Sequence, residues 1–197
     1  MVRSSYNGED VKDYSAAGLY SSYESMNNDY LNEIIKLVWE SKWNPMAYYS
    51  RLEHGIDHEK IRPTVIVQDY VDADYTFTLY TKDPEKDDSL LIEMNTKKSI
   101  DPYIIRYNRK DDTVNVESIA RYGRKIKLDE NQKIIHADPI NDPVKKDEKE
   151  WMPLLKKICH AALEVEQEFK APQDIEGGIK FEDGKPQIYF WQTRDIN

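Results

Sequence analysis

Near the end of the 197-residue chain, Asp174, Glu176, Gln192 and Arg194 sit in the stretch QDIEGGIKFEDGKPQIYFWQTR. Two carboxylates, an amide and a guanidinium, spaced two apart on two apolar arms, are groups suited to a divalent cation and a phosphate. Mg2+ takes oxygen ligands, commonly one or two carboxylates completed by phosphate oxygens and water. The guanidinium offers a fork that fits phosphate oxygens. Asp-Gly in EDGK is a hairpin turn signal. A three-residue loop, Asp183 to Lys185, puts Glu182 opposite Pro186, Glu176 opposite Gln192 and Asp174 opposite Arg194. Alternation then sets all four polar residues on one face. A two-residue loop shifts the register by one and spoils the direct pairing. The competing reading is a surface ion pair between Asp174 and Arg194, worth about 0–1 kcal/mol.

The second stretch with chemical potential is VRSSYNGEDVKDYSAAGLYSSY at the other end. It opens on Arg3 and two serines, holds the acidic pair Glu9 and Asp10, and carries Gly18 in a small-residue SAAG. Backbone amides of a Ser/Gly-rich loop can approach phosphates closely, and an arginine can clamp them. No GxxxxGK of the Walker type is present, and an ordinary polar loop is the bland reading.

These groups need a frame. MNNDYLNEIIKLVWESKW spaces Leu31, Ile34, Ile35, Val38 and Trp43 as one buried face of a helix, with Asn28 or Asp29 as its cap. RPTVIVQDYV and DYTFTLYTKD read as two strands joined by VDAD, followed by LLIEM, YIIRYN, TVNVES and KIIHAD between charged turns. KKDEKEWMPLLKKICHAALEVEQEF is a second amphipathic helix, whose regular part is expected to begin near Pro153. The fold class is α+β, with helices on a mainly antiparallel sheet. Trp39, Trp43, Tyr48 and Tyr49 read as core or packing residues.

A formal net charge of −9 argues against a broad nucleic-acid groove, which needs a basic field. No apolar run approaches the roughly 20 residues of a membrane span, and the N-terminus is polar from its third residue, unlike a signal peptide. The single Cys159 rules out an internal disulfide and fits a reducing, cytoplasmic setting. MVRSS reads as the end of a short strand, which suggests the C-terminal part of a longer protein.

Taken together and in order, VRSS, ED, AG, a Trp-containing helix, VIVQ and the closing QDIE…QTR resemble the ATP-binding domain of the dikinase family. That family includes phosphoenolpyruvate synthase, pyruvate phosphate dikinase, rifampin phosphotransferase and the glucan water dikinases. HGIDHEKIRPTVIVQ is similar to the synthases, whereas NGED, AAGLY, ESKWNPMAYYSR and QDIEG look more like the glucan dikinases. The resemblance covers nearly the whole chain and is weakest between Lys82 and Asp147.

The resemblance implies an ATP-grasp fold, in which two lobes hold ATP, with residues 1–197 as its C-terminal portion and the N-terminal lobe outside this chain. It implies that Arg3 contacts the ATP phosphates, that Gly18 is a loop glycine at the nucleotide, and that Ser22 and Gln68 contact it. Glu176 and Gln192, with Asp174 beside them, correspond to metal and phosphate ligands for Mg2+, and Arg194 to the terminal phosphate-binding arginine. Arg3 and Arg194 are the residues assigned a catalytic part. Phosphoryl transfer needs mainly positioning and charge neutralisation, so no side-chain nucleophile is required here.

The implied function is the ATP-binding part of a phosphoenolpyruvate synthase-like phosphotransferase, passing phosphate through a histidine on another domain to an acceptor. That phosphohistidine domain and the N-terminal lobe lie in the same or another chain, and these 197 residues alone are expected to be inactive. The alternatives are a non-catalytic nucleotide sensor or a glucan-dikinase-like domain. Two departures stand out: the lobe with the phosphate-binding lysine is not within these residues, unless it lies upstream in a longer protein, and LLIEMNTKKSIDPYIIRYN lacks the family's GLGE-like glycines. CHAA at Cys159–Ala162 imitates part of a phosphohistidine motif but lies inside the second helix, without the Gly-Gly-x-Thr loop that motif requires.

Overall fold

The computed structural model describes the chain except residues 12–13, 17, 25–27, 98, 100, 121, 129, 132–133, 140–143, 145–146 and 197; the side chains of 10–11, 15, 28, 122–128 and 134–139 also lie outside the description. Two compact units are present, Met1–Val71 and Asp72–Ile196.

In the first unit β1 (Val2–Ser4) pairs antiparallel with β4 (Val65–Val67), Arg3 opposite Ile66. The polar stretch between them is not only loop: β2 (Asp10–Val11) and β3 (Tyr14–Ser15) make a minimal ribbon. The helix expected over 26–43 is α-helical only in its middle. Asn28–Tyr30 form a 3-10 turn, so neither Asn28 nor Asp29 is the cap; Tyr30 takes that position and α1 runs Leu31–Glu40. A second 3-10 turn, Ser41–Trp43, leads to α2 (Pro45–Glu53), a helix the apolar spacing had not shown. Pro45 causes the break: it disfavours the helical region for its predecessor, and Asn44 is extended with φ −52° and ψ 136°. Pro45 then starts α2, where its missing N–H costs nothing.

The core of this unit is Tyr6, Tyr14, Ala16, Tyr20, Ala47 and Ile61, with the Tyr6 and Tyr20 rings stacked at 4.2 Å. The fully buried Arg51 donates to Tyr20 Oη and His58 Nδ1, both at 3.0 Å. Trp39, Trp43 and Tyr49 are 45–61% exposed, which corrects their reading as core. Splitting the helical run at Pro45 turns the face, so one apolar stripe cannot serve both helices.

The second unit is a six-stranded antiparallel sheet in the order β12-β11-β5-β6-β7-β8. Its strands are β5 (Tyr75–Tyr80), β6 (Ser89–Thr96), β7 (Tyr103–Asn108), β8 (Thr113–Ser118), β11 (Gln173–Glu182) and β12 (Lys185–Asp195). β9 (Tyr122–Leu128) and β10 (Ile134–Pro139) form a separate two-stranded ribbon. Among the described residues, three α-helices and these antiparallel pairings make the chain α+β. The two strands expected to be joined by VDAD do not pair: β4 joins β1 and β5 joins β11 and β6.

The third helix, α3 (Glu148–Phe169), includes Pro153 rather than starting near it. Pro153 withholds one hydrogen bond, and the buried row Trp151, Leu154, Leu155, Ile158, Cys159 and Ala162 offsets that loss. At roughly 25 cal/mol per Å2 of apolar surface buried, each large side chain in that row contributes about 1.5–3 kcal/mol. The row packs on Phe77, Leu79, Ile92, Met94, Tyr103, Ile105 and Ile175. Cys159 is wholly buried and burial pushes its thiol up to about 12, the chemistry of a packing residue.

A polar knot ties the β7–β8 turn to this helix. Asp112, in the left-handed region at φ 55°, accepts from Lys156 Nζ at 2.7 Å and Tyr107 Oη at 2.9 Å, and lies 2.8 Å from His160 Nε2. His160 is therefore a helix-surface residue held by a carboxylate. Lys156 first, then His160 and Tyr107, hold the Asp112 carboxyl well below its ordinary value. A carboxyl depressed in the folded state contributes stability above its unfolded value, about 4, and loses it as pH falls. Asp112→Asn, which tolerates the same backbone, should therefore show a flatter loss of stability below about pH 4 than wild type. Urea midpoints across pH 3–6 measure this; parallel curves would show that the knot contributes nothing.

Candidate functional site

The hairpin reaches the expected pairing by an unexpected route. Its loop has two residues, not three: Glu182 faces Lys185, and Asp183 and Gly184 both have positive φ, 51° and 76°. That is the primed turn which Asp-Gly favours because its twist matches the strands. Pairing runs in this register to Gly177 opposite Phe190. A bulge then leaves Trp191 unpaired, and Glu176 falls opposite Gln192, Ile175 opposite Thr193 and Asp174 opposite Arg194. One extra residue on β12 thus shifts the register by the one position that the shorter loop had removed.

Two glycines make room for it. A Cβ on Gly177 would lie 2.5 Å from both Phe77 Cζ and the Tyr189 carbonyl oxygen. A Cβ on Gly178 would meet the Trp191 ring at 2.6 Å and Ala73 Cβ at 2.8 Å. The indole therefore lies over Gly178, next to Gln192.

Alternation assigns the faces. Phe77, Leu79, Ile92 and Ile175 pack under α3, so their neighbours point the other way. Two rows cross that opposite face: Arg194, Asp174, Tyr80 and Leu91; and Gln192, Glu176, Thr78 and Glu93. The structure thus brings Asp174, Glu176, Gln192 and Arg194 onto one face. Arg194 donates to Asp174 Oδ2 from Nε at 2.8 Å and Nη2 at 2.6 Å, so the cross-strand ion pair is formed. Asp174 Oδ1 is buried and accepts no hydrogen bond among the described residues, although its side chain is only 10% exposed. Gln173, fully buried beneath, donates to Asp195 Oδ1 at 2.6 Å and accepts from Thr193 Oγ1 at 2.7 Å. These bonds pin the segment that carries Asp174.

In the first unit Gln68 exchanges backbone hydrogen bonds with Met1, both at 3.0 Å, just beyond β4. It lines a cavity of about 400 Å3 with Val2, Leu31, Val67, Asp69 and Tyr70. Arg3, Gly18 and Ser22 do not line that cavity. Ser22 precedes Tyr23, whose backbone bonds Val2 in both directions at 2.8 and 2.9 Å. Gly18 has φ +73°, an exposed turn that favours glycine. Asn44 Nδ2 holds the same loop through Ser21 Oγ at 3.3 Å.

Sequence reasoning missed Tyr80, Thr78 and Glu93. The period-two pattern of YTFTLY could have put Thr78 and Tyr80 on one face, but not beside β11, because β5 and β11 are about 90 residues apart. No group of three or more His, Cys, Asp or Glu side chains able to hold a metal occurs among the described residues.

An antiparallel sheet carrying α3 on one face and the polar hairpin row on the other defines an α+β module. The chain belongs to the pyruvate phosphate dikinase AMP/ATP-binding domain family, whose model matches residues 1–197. It is 28% identical over 200 residues to the chloroplastic alpha-glucan water dikinase of Solanum tuberosum, covering 81% of this chain and 13% of that protein. It is 26% identical over 208 residues to the probable phosphoenolpyruvate synthase of Archaeoglobus fulgidus, covering 99% and 26%. To the probable phosphoenolpyruvate synthase of Methanocaldococcus jannaschii it is 28% identical over 209 residues, covering 99% and 17%. The chain thus spans between an eighth and about a quarter of the length of these relatives.

Proposed function

We propose that this chain is the ATP-binding part of a phosphoenolpyruvate synthase-like dikinase, built as a portion of an ATP-grasp domain. The orphaned Asp174 Oδ1, beside Glu176 on a face with the Gln192 amide, carries this reading. A buried carboxylate oxygen without a donor is costly unless a cation or donor joins it. The available donors are all oxygen, the set that suits Mg2+. Asp174, Glu176 and Gln192 would hold Mg2+, with nucleotide oxygens completing its shell. The ion would neutralise charge on the phosphates.

The chain's own residues position and bind. Arg194, oriented by Asp174, takes the terminal phosphates, and Arg3 contacts the ATP phosphates. Gly18 and Ser22 approach the nucleotide through their loop. Gln68 and its cavity take the base. The phosphate then passes to a histidine on a separate domain and from there to an acceptor; that domain and the N-terminal lobe lie in the same or another chain. The setting is cytoplasmic, with neither nucleic acid nor membrane as partner; no helix among the described residues is long and apolar enough to cross a membrane.

Calorimetry with Mg-ATP on the natively expressed protein, with whatever domains accompany this chain, tests the binding. Heat of binding and steady conversion of ATP to AMP and phosphate are expected. No heat would overturn the nucleotide reading; heat without AMP would leave a sensor in place of a dikinase.

A further inference from the structure

The proposed metal–phosphate face carries one more polar group, which the hairpin motif does not contain. Tyr80 lies on β5 directly opposite Asp174, in the row that begins with Arg194. Its ring is half-buried, and its hydroxyl makes no hydrogen bond among the described residues. A phenol hydroxyl can donate one hydrogen bond.

The neighbouring groups are mostly acceptors. The carboxylates of Asp174, Glu176 and Glu93 can only accept, and Arg194 already spends Nε and Nη2 on Asp174. A polyphosphate arriving here brings more acceptors and needs donors. The orphaned Asp174 Oδ1, which carries the nucleotide reading, lies in the same row.

We propose that Tyr80 touches the bound nucleotide, its hydroxyl donating to a non-bridging phosphate oxygen; this rests on the nucleotide reading above. Tyr80 is thus a further binding residue, supplied by the middle of the sheet and not by the hairpin.

The test compares Tyr80→Phe and Glu176→Gln with wild type in the natively expressed protein, by calorimetry with Mg-ATP and with adenosine. Tyr80→Phe keeps the ring and removes one donor. Its Mg-ATP affinity should fall about tenfold, with adenosine affinity unchanged. Wild-type Mg-ATP affinity in Tyr80→Phe, with affinity lost in Glu176→Gln, would overturn the Tyr80 contact and leave the site standing. Wild-type affinity in both variants would overturn the contact and the site together. An equal loss for adenosine, which has no phosphate, would reveal a general disturbance and also overturn the contact.

Discussion

Glu176→Gln is expected to weaken Mg-ATP binding by about a hundredfold, near 2.7 kcal/mol. The change keeps the size and the strand position opposite Gln192 and Thr78, and it removes one negative charge where a cation is proposed. Thermal melting reads the effect. With ligand at a hundred times the wild-type Kd, wild type gains about 2.7 kcal/mol, whereas the variant gains only about 0.4. For a unit of this size about 1 kcal/mol moves Tm by roughly 3–5 °C. Wild type should therefore shift by about 10 °C and Glu176→Gln by about 2 °C. The unliganded proteins should melt together, because Glu176 is only partly buried. An equal ligand-induced shift in both would remove Glu176 from the site.

Gly177→Ala is expected to cost about 3 kcal/mol and to lower the unliganded Tm by about 10 °C. The new Cβ would sit 2.5 Å from the Tyr189 carbonyl oxygen and within 2.6 Å of two Phe77 ring atoms. The carbonyl belongs to the strand ladder and Phe77 is buried under α3, so neither can retreat cheaply. The nearest escape is to slip β12, which would move Gln192 and Arg194 away from Glu176 and Asp174. Denaturant unfolding of the apo protein measures the loss. A variant as stable as wild type would mean that the bulge adapts, and that Gly177 is not what lets these residues pair.

The four polar residues of the hairpin were legible because alternation and an Asp-Gly turn are local signals. The pairing drawn from them was right, although the loop assumed was one residue too long. Two deviations cancel: the tight turn at Asp183–Gly184 moves the register one way and the bulge at Trp191 moves it back. The bulge was illegible because it depends on Phe77, Ala73 and Tyr75, which are distant in sequence and define the space around Gly177 and Gly178. The helix read from the apolar spacing stopped at Trp43, short of Pro45, and α2 beyond that proline went unread because its apolar pattern is weak.

The amino-acid order by itself determined the α+β character, the antiparallel strands, the second long helix and the kinship with the dikinase nucleotide-binding domains. These depend on periodicity, turn chemistry and short motifs, all of which act over a few residues. Only the tertiary structure decided which strand lies beside which. It put Tyr80 next to Asp174, left one oxygen of that carboxylate without a donor among the described residues, and exposed Trp39 and Trp43, which by sequence read as core or packing residues. Such facts depend on long-range sheet order, and no local preference encodes which segment will fill the space beside another.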